Sequence, residues 1–95
     1  MTKKEAIVGT IVCLNGAYAI TKGLEFIVTA NDPNNERVKV VWHKGYEEPI
    51  NFPAYQHERL FLPSNIEKLG VITIEEMLTH SNPICRKIAL ELLHI

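Results

Sequence analysis

Apolar and polar positions alternate most regularly in "RVKVVWH" (37–43), where Val38, Val40 and Trp42 interleave with Arg37, Lys39 and His43. A period of two is the mark of a strand with one face in a core. "LEFIVTA" (24–30) alternates in the same way, with Leu24, Phe26 and Val28 on one side and Glu25, Ile27 and Thr29 on the other. Between them "NDPNNE" (31–36) supplies three Asn, one Asp and one Pro, so the two strands are predicted to form an antiparallel hairpin with a longer loop. "AIVGTIVCL" (6–14) is β-branched without helical period and reads as a strand buried on much of both faces, followed by an Asn15-Gly16 turn. "AYAI" (17–20) is too short to assign beyond the turn or a brief strand. Pro49 and Pro53 restrict residues 46–57 to an edge strand near 49–52. "ERLFL" (58–62) is a last short strand, stopped by Pro63.

Beyond Pro63 the period changes. Ser64 stands three before Glu67 in the spacing of a capping box, with Gly70 placed to stop a single helical turn. Thr73 and Glu76 repeat that spacing, and Ile74, Met77 and Leu78 fit a short helix over 74–80. Asn82 is positioned to cap a longer helix with Pro83 at its first position. In it Ile84, Ile88 and Leu92, flanked by Cys85, Ala89 and Leu93, form a wide apolar stripe, with Arg86, Lys87 and Glu91 on the wet side. Strands followed by helices, without alternation, predict an α+β fold. A chain of 95 residues is expected to make one domain, here a β portion over 6–62 and a helical tail over 63–95.

The β portion carries a resemblance. Gly23 before a strand, the polar loop 31–36, the "V-K-V-x-W-x-x-G" run from Val38 to Gly45, the closing "R-L-x-L" from Arg59 to Leu62 and "VGTIV" (8–12) together resemble a small SH3-like barrel of the KOW, Tudor and Mib-Herc2 type. The resemblance covers about two-thirds of the chain. It implies a five-stranded, twisted antiparallel β-barrel and a binding module for proteins, nucleic acid or modified peptides rather than a catalyst.

Charge and chemistry narrow this further. The net charge is −1, and residues 1–62 hold seven basic and seven acidic side chains, so there is no basic block of the kind nucleic acid attracts. Two cysteines, Cys13 and Cys85, are too few for a disulfide framework and read as reduced thiols of an intracellular, cytoplasmic protein. The N-terminal apolar run is interrupted by Gly9, Thr10, Asn15 and Gly16, and no signal peptide or membrane span is expected. His43, His57, His80 and His94 have no ligand spacing and the cysteines no C-x-x-C partner, so neither a metal nor a cofactor is expected. No nucleophile, base and orienting group gather in any pattern, so the chain is not expected to be an enzyme.

The candidate surfaces are two. Trp42, Tyr46, Phe52 and Tyr55 fall within fourteen residues and, with Arg37 and Lys39 at the rim, suit a protein-binding patch. With Trp42 on the face of Val38 and Val40, its indole would instead close one end of the core. A methyl-lysine cage from the same rings would need Glu47 or Glu48. The second surface is the stripe of Ile84, Ile88 and Leu92, which either folds back over the β portion or pairs with a second copy or another protein. The expected function is a non-enzymatic protein-binding or regulatory module. The alternatives are a nucleic-acid-associated KOW-like module using Lys3, Lys4, Lys22, Arg37, Lys39 and Lys44, and a small phage-type inhibitor of a host protein.

Overall fold

A computed structural model describes residues 1–15, 25–44 and 58–93. A 3-10 turn at Lys3–Glu5 leads into β1 (Thr10–Leu14), β2 (Glu25–Ala30), β3 (Val38–Lys44) and β4 (Arg59–Phe61). A second 3-10 turn, Pro63–Asn65, leads into β5 (Ile66–Val71), and α1 (Ile74–Leu78) and α2 (Pro83–Leu93) follow. The fold is α+β: one antiparallel five-stranded sheet in the order β4-β3-β2-β1-β5, followed by two helices.

The alternation read in the sequence sets the pairing. Phe26 lies opposite Trp42 and Val28 opposite Val40, while Ile27 lies opposite Val41 one step across. Each pair shares a face, so the sheet has two buried sides. The inner side holds Val12, Phe26, Val28, Val38, Val40 and Ile66, with Leu14, Trp42 and Phe61 packed against them. The outer side holds Ile27 and Val41, covered by Ile72, Met77, Cys85 and Ala89. The loop 31–36 is held by its own amides: Asn34 N–H donates to Asp32 Oδ1 and Arg37 N–H to Asn35 Oδ1. Asn31 Nδ2 donates to the carbonyls of Lys3 and Ala6, which ties the hairpin to the N-terminal turn.

Two expectations are corrected. The sheet is not closed into a barrel: among the described residues β4 and β5 are its edges and are not paired with each other. It is strongly curled nonetheless. A flat sheet would separate those edges by four strand spacings, about 19 Å. The five backbone steps from Phe61 to Ile66, two of them inside the 3-10 turn, reach about 15 Å at most. Phe61 and Ile66, from opposite edges, accordingly share the inner core, and Phe61 meets Phe26 edge-on with centroids 5.1 Å apart.

The second correction concerns residues 64–70, expected as a capped helical turn. Ser64 and Asn65 form part of the 3-10 turn, and from Ile66 on the chain enters β5, which pairs with β1 from Leu14–Ile66 to Thr10–Val71 across a bulge at Ile11/Val12. The hydrogen bonds offered by β1 outweigh a cap signal that supports only one turn. Pro63 opens the preceding 3-10 turn, at a position where its missing N–H costs nothing. The sheet therefore runs past the expected boundary at residue 62.

β1 starts at Thr10, later than expected, because the chain turns at Gly9. Gly9 has φ 95, donates to the Val28 carbonyl and accepts from Ile72 N–H, so this left-handed residue joins β2 to the link between β5 and α1. The expected edge strand near 49–52 lies outside the described residues.

Candidate functional site

α2 lies on the outer side because its sequence gives it one apolar face. Cys85 and Ala89 are fully buried, and Ile84 and Ile88 pack beside them against the sheet core. The stripe expected as an interface is thus largely spent on the protein's own sheet, with Leu92 half-buried. Ile84 and Ile88 also remain open on one flank. There, with Glu58, Lys87 and Glu91, they line a groove of about 370 Å³. Glu58 sits just before β4 and pairs with Lys39 at 3.3 Å. The groove thus has an apolar floor and charges of both signs around it, Lys87 against Glu58 and Glu91, with Lys39 reaching it only through its pairing with Glu58. Lys39 and the helical stripe, placed on separate surfaces by the sequence, meet here through Glu58.

Trp42 is on the inner side. It packs half-buried against the core of Phe26, Val38 and Val40, its indole N–H is buried without an acceptor among the described residues, and its carbonyl accepts from Asn82 Nδ2 at 3.0 Å. Lys39 alternates with Trp42 and belongs to the opposite face. Arg37 is exposed ahead of β3. Tyr46, Phe52 and Tyr55, like Glu47, Glu48, His57 and His94, lie outside the described residues. Three of the basic side chains offered for nucleic acid have local partners: Lys44 lies 3.9 Å from Glu25, Lys39 is held by Glu58, and Lys3 donates to Asn31 Oδ1 and the Asp32 carbonyl.

One cluster has no sequence signal. His43, near the end of β3, and His80, in the turn between α1 and α2, are 37 positions apart and meet ring to ring, Nδ1 of His43 lying 2.7 Å from Nε2 of His80. The backbone N–H of Asn82 donates to His80 Nδ1 at 2.9 Å, so that nitrogen carries no proton. Neutral His80 then holds its proton on Nε2 and donates it to His43 Nδ1. Asn82 also caps α2, accepting from Ile84 N–H at 3.0 Å, while Arg86 Nη1 donates to the carbonyls of His80 and Ser81. Burial pushes both imidazoles below the ordinary 6.5. Lys44 adds to this at His43, where Glu76 opposes it; the His43 ring and Arg86 add to it at His80, where a hydrogen bond to the His43 backbone opposes it.

The thiols are poor nucleophiles. Burial raises Cys85 to about 11, and burial, with Glu67 and Glu25 nearby, raises Cys13. Among the described residues no three His, Cys, Asp or Glu side chains gather to hold a metal, and no helix is long and apolar enough to cross a membrane. No family model, curated protein or solved structure matches the chain.

Proposed function

We propose that this chain is a non-enzymatic protein-binding module of SH3-like shape that takes a partner segment in the groove beside α2. The groove itself carries the reading. Ile84 and Ile88 offer apolar area that a partner side chain would remove from water, and Lys39, Lys87, Glu58 and Glu91 set its orientation. The curl that brings both sheet edges to one core supports the barrel-like shape, and the even balance of basic and acidic residues over 1–62 weighs against nucleic acid. Of the aromatic set offered by the sequence only Trp42 is described, and it packs against the core, so Trp42→Ala would test folding as much as binding.

The experiment is a paired capture from native lysate with the wild-type chain and the double charge reversal Lys87→Glu/Glu91→Lys, both checked by circular dichroism. Both side chains are exposed, so the fold is expected to persist. Proteins held by the wild type should weaken by about tenfold or more with the variant. Identical capture by two folded proteins would reject the groove. A solution mass of twice 10.8 kDa, lost in the variant, would make a second copy the occupant.

A further inference from the structure

His43, His80 and Asn82 join three elements through a set of bonds that has room for no extra proton. In the neutral state each imidazole has one acceptor nitrogen, and both are in use: Nδ1 of His80 takes the Asn82 N–H, and Nδ1 of His43 takes the Nε2–H of His80. Only these two nitrogens can accept a further proton. A proton on His80 Nδ1 would face the Asn82 N–H, donor against donor. On His43 Nδ1 it would face His80 Nε2–H. If His80 then shifted its own proton to Nδ1 to relieve that contact, the conflict would move to Asn82. Any single uptake costs one bond of the chain.

We propose that this triad is a proton-operated clasp: protonation of either imidazole opens it and frees the α1–α2 corner from the end of β3. Asn82 is the residue through which the release spreads. The same side chain that donates to the Trp42 carbonyl caps α2, so displacing it loosens both the attachment to β3 and the first turn of the helix. The charged neighbours favour the neutral pair. Lys44 on β3 and Arg86 on α2 both repel a proton; Glu76 on α1 attracts one at His43, and a hydrogen bond to the His43 backbone favours one at His80 without reversing the shift. Glu76 is already engaged with Thr73 at the start of α1.

The sign follows from the direction of the two shifts. With folded values below 6.5, the open form binds more protons as pH falls through 6.5, so closure is strongest above that pH and weakens below it. The weakening levels off once pH drops past the folded values.

The test is nuclear magnetic resonance on the full chain. Long-range nitrogen–proton spectra at about pH 7.5 should show both rings in the Nε2–H tautomer. From about pH 7.5 to about pH 5.5, the exchange protection of the Asn82 amide should fall by up to about tenfold per histidine. His80→Asn places a carboxamide oxygen near the position of Nδ1, keeping an acceptor for Asn82 without a titrating group. In it, and in His43→Asn, the acid step at Asn82 should shrink or vanish. An Nδ1–H tautomer on either ring, equal protection at both pH values, or a full acid step persisting in both variants would each overturn the clasp. If a variant does not fold, the tautomer and protection readings on the wild type still decide.

Discussion

Phe26 shows what a single inner-side position contributes. It is 1% exposed, pairs across to Val12 on one strand and Trp42 on the other, and meets Phe61 edge-on. Phe26→Ala removes a large side chain from a site where curled strands cannot collapse to fill the space. It should cost about 3–5 kcal/mol in a urea unfolding experiment. Leu69, on β5, is 53% exposed, and Leu69→Ser should stay within about 0.5 kcal/mol. Both sides of the alternation at 24–30 and 37–43 were legible, because a period of two needs no knowledge of the rest of the fold. What covers the side of Ile27 and Val41 was not legible, since it depends on where α2 returns. The contact of His43 with His80 escaped for the same reason: neither residue carries a local mark of a partner 37 positions away.

Among elements, the clearest lesson lies in two copies of one local signal. Thr73-x-x-Glu76 works as read: Thr73 Oγ1 accepts from Glu76 N–H at 3.1 Å, and Glu76 Oε1 takes the Thr73 hydroxyl at 3.0 Å. Ser64-x-x-Glu67 has identical spacing but leads into β5. The difference is tertiary. Residues 66–71 lie beside an open edge of β1, whereas residues 74–78 have only their own turn and the packing of Met77 and Leu78 to satisfy them. A capping signal states what a helix start would look like if a helix formed, and cannot weigh a ladder offered from fifty residues upstream. Thr73→Ala should therefore lower stability by about 1 kcal/mol. Ser64→Ala should change it by less than about 0.5 kcal/mol in the same unfolding assay. Equal losses at the two positions would mean that Ser64 does cap a helix in solution.

For the molecule as a whole, the question is whether the β portion read as 6–62 could stand without the residues after it. Three features of the fold say that it could not. β5 supplies the outer partner of β1 along all five residues of that strand, and without it β1 becomes a new edge. Ile66 leaves the inner core, and Met1, whose amino group donates to the carbonyls of Pro63 and Ile66, loses both acceptors. On the outer side Ile27 and Val41, both fully buried, lose Ile72, Met77, Cys85 and Ala89 together. Each large apolar side chain returned to water costs about 1.5–3 kcal/mol. Re-exposing Ile27 and Val41 alone therefore costs about 3–6 kcal/mol, a large share of the stability of an ordinary small domain, before the new edge at β1 is counted. A chain ending at Leu62 should be unfolded, with collapsed amide dispersion and no cooperative melting transition. A chain ending at Leu93 should melt cooperatively, because every described core contact is then in place. A dispersed spectrum from the shorter chain would mean that the curled sheet holds with β1 at its edge and its outer side bare, and that the helices are an addition to a self-sufficient β fold.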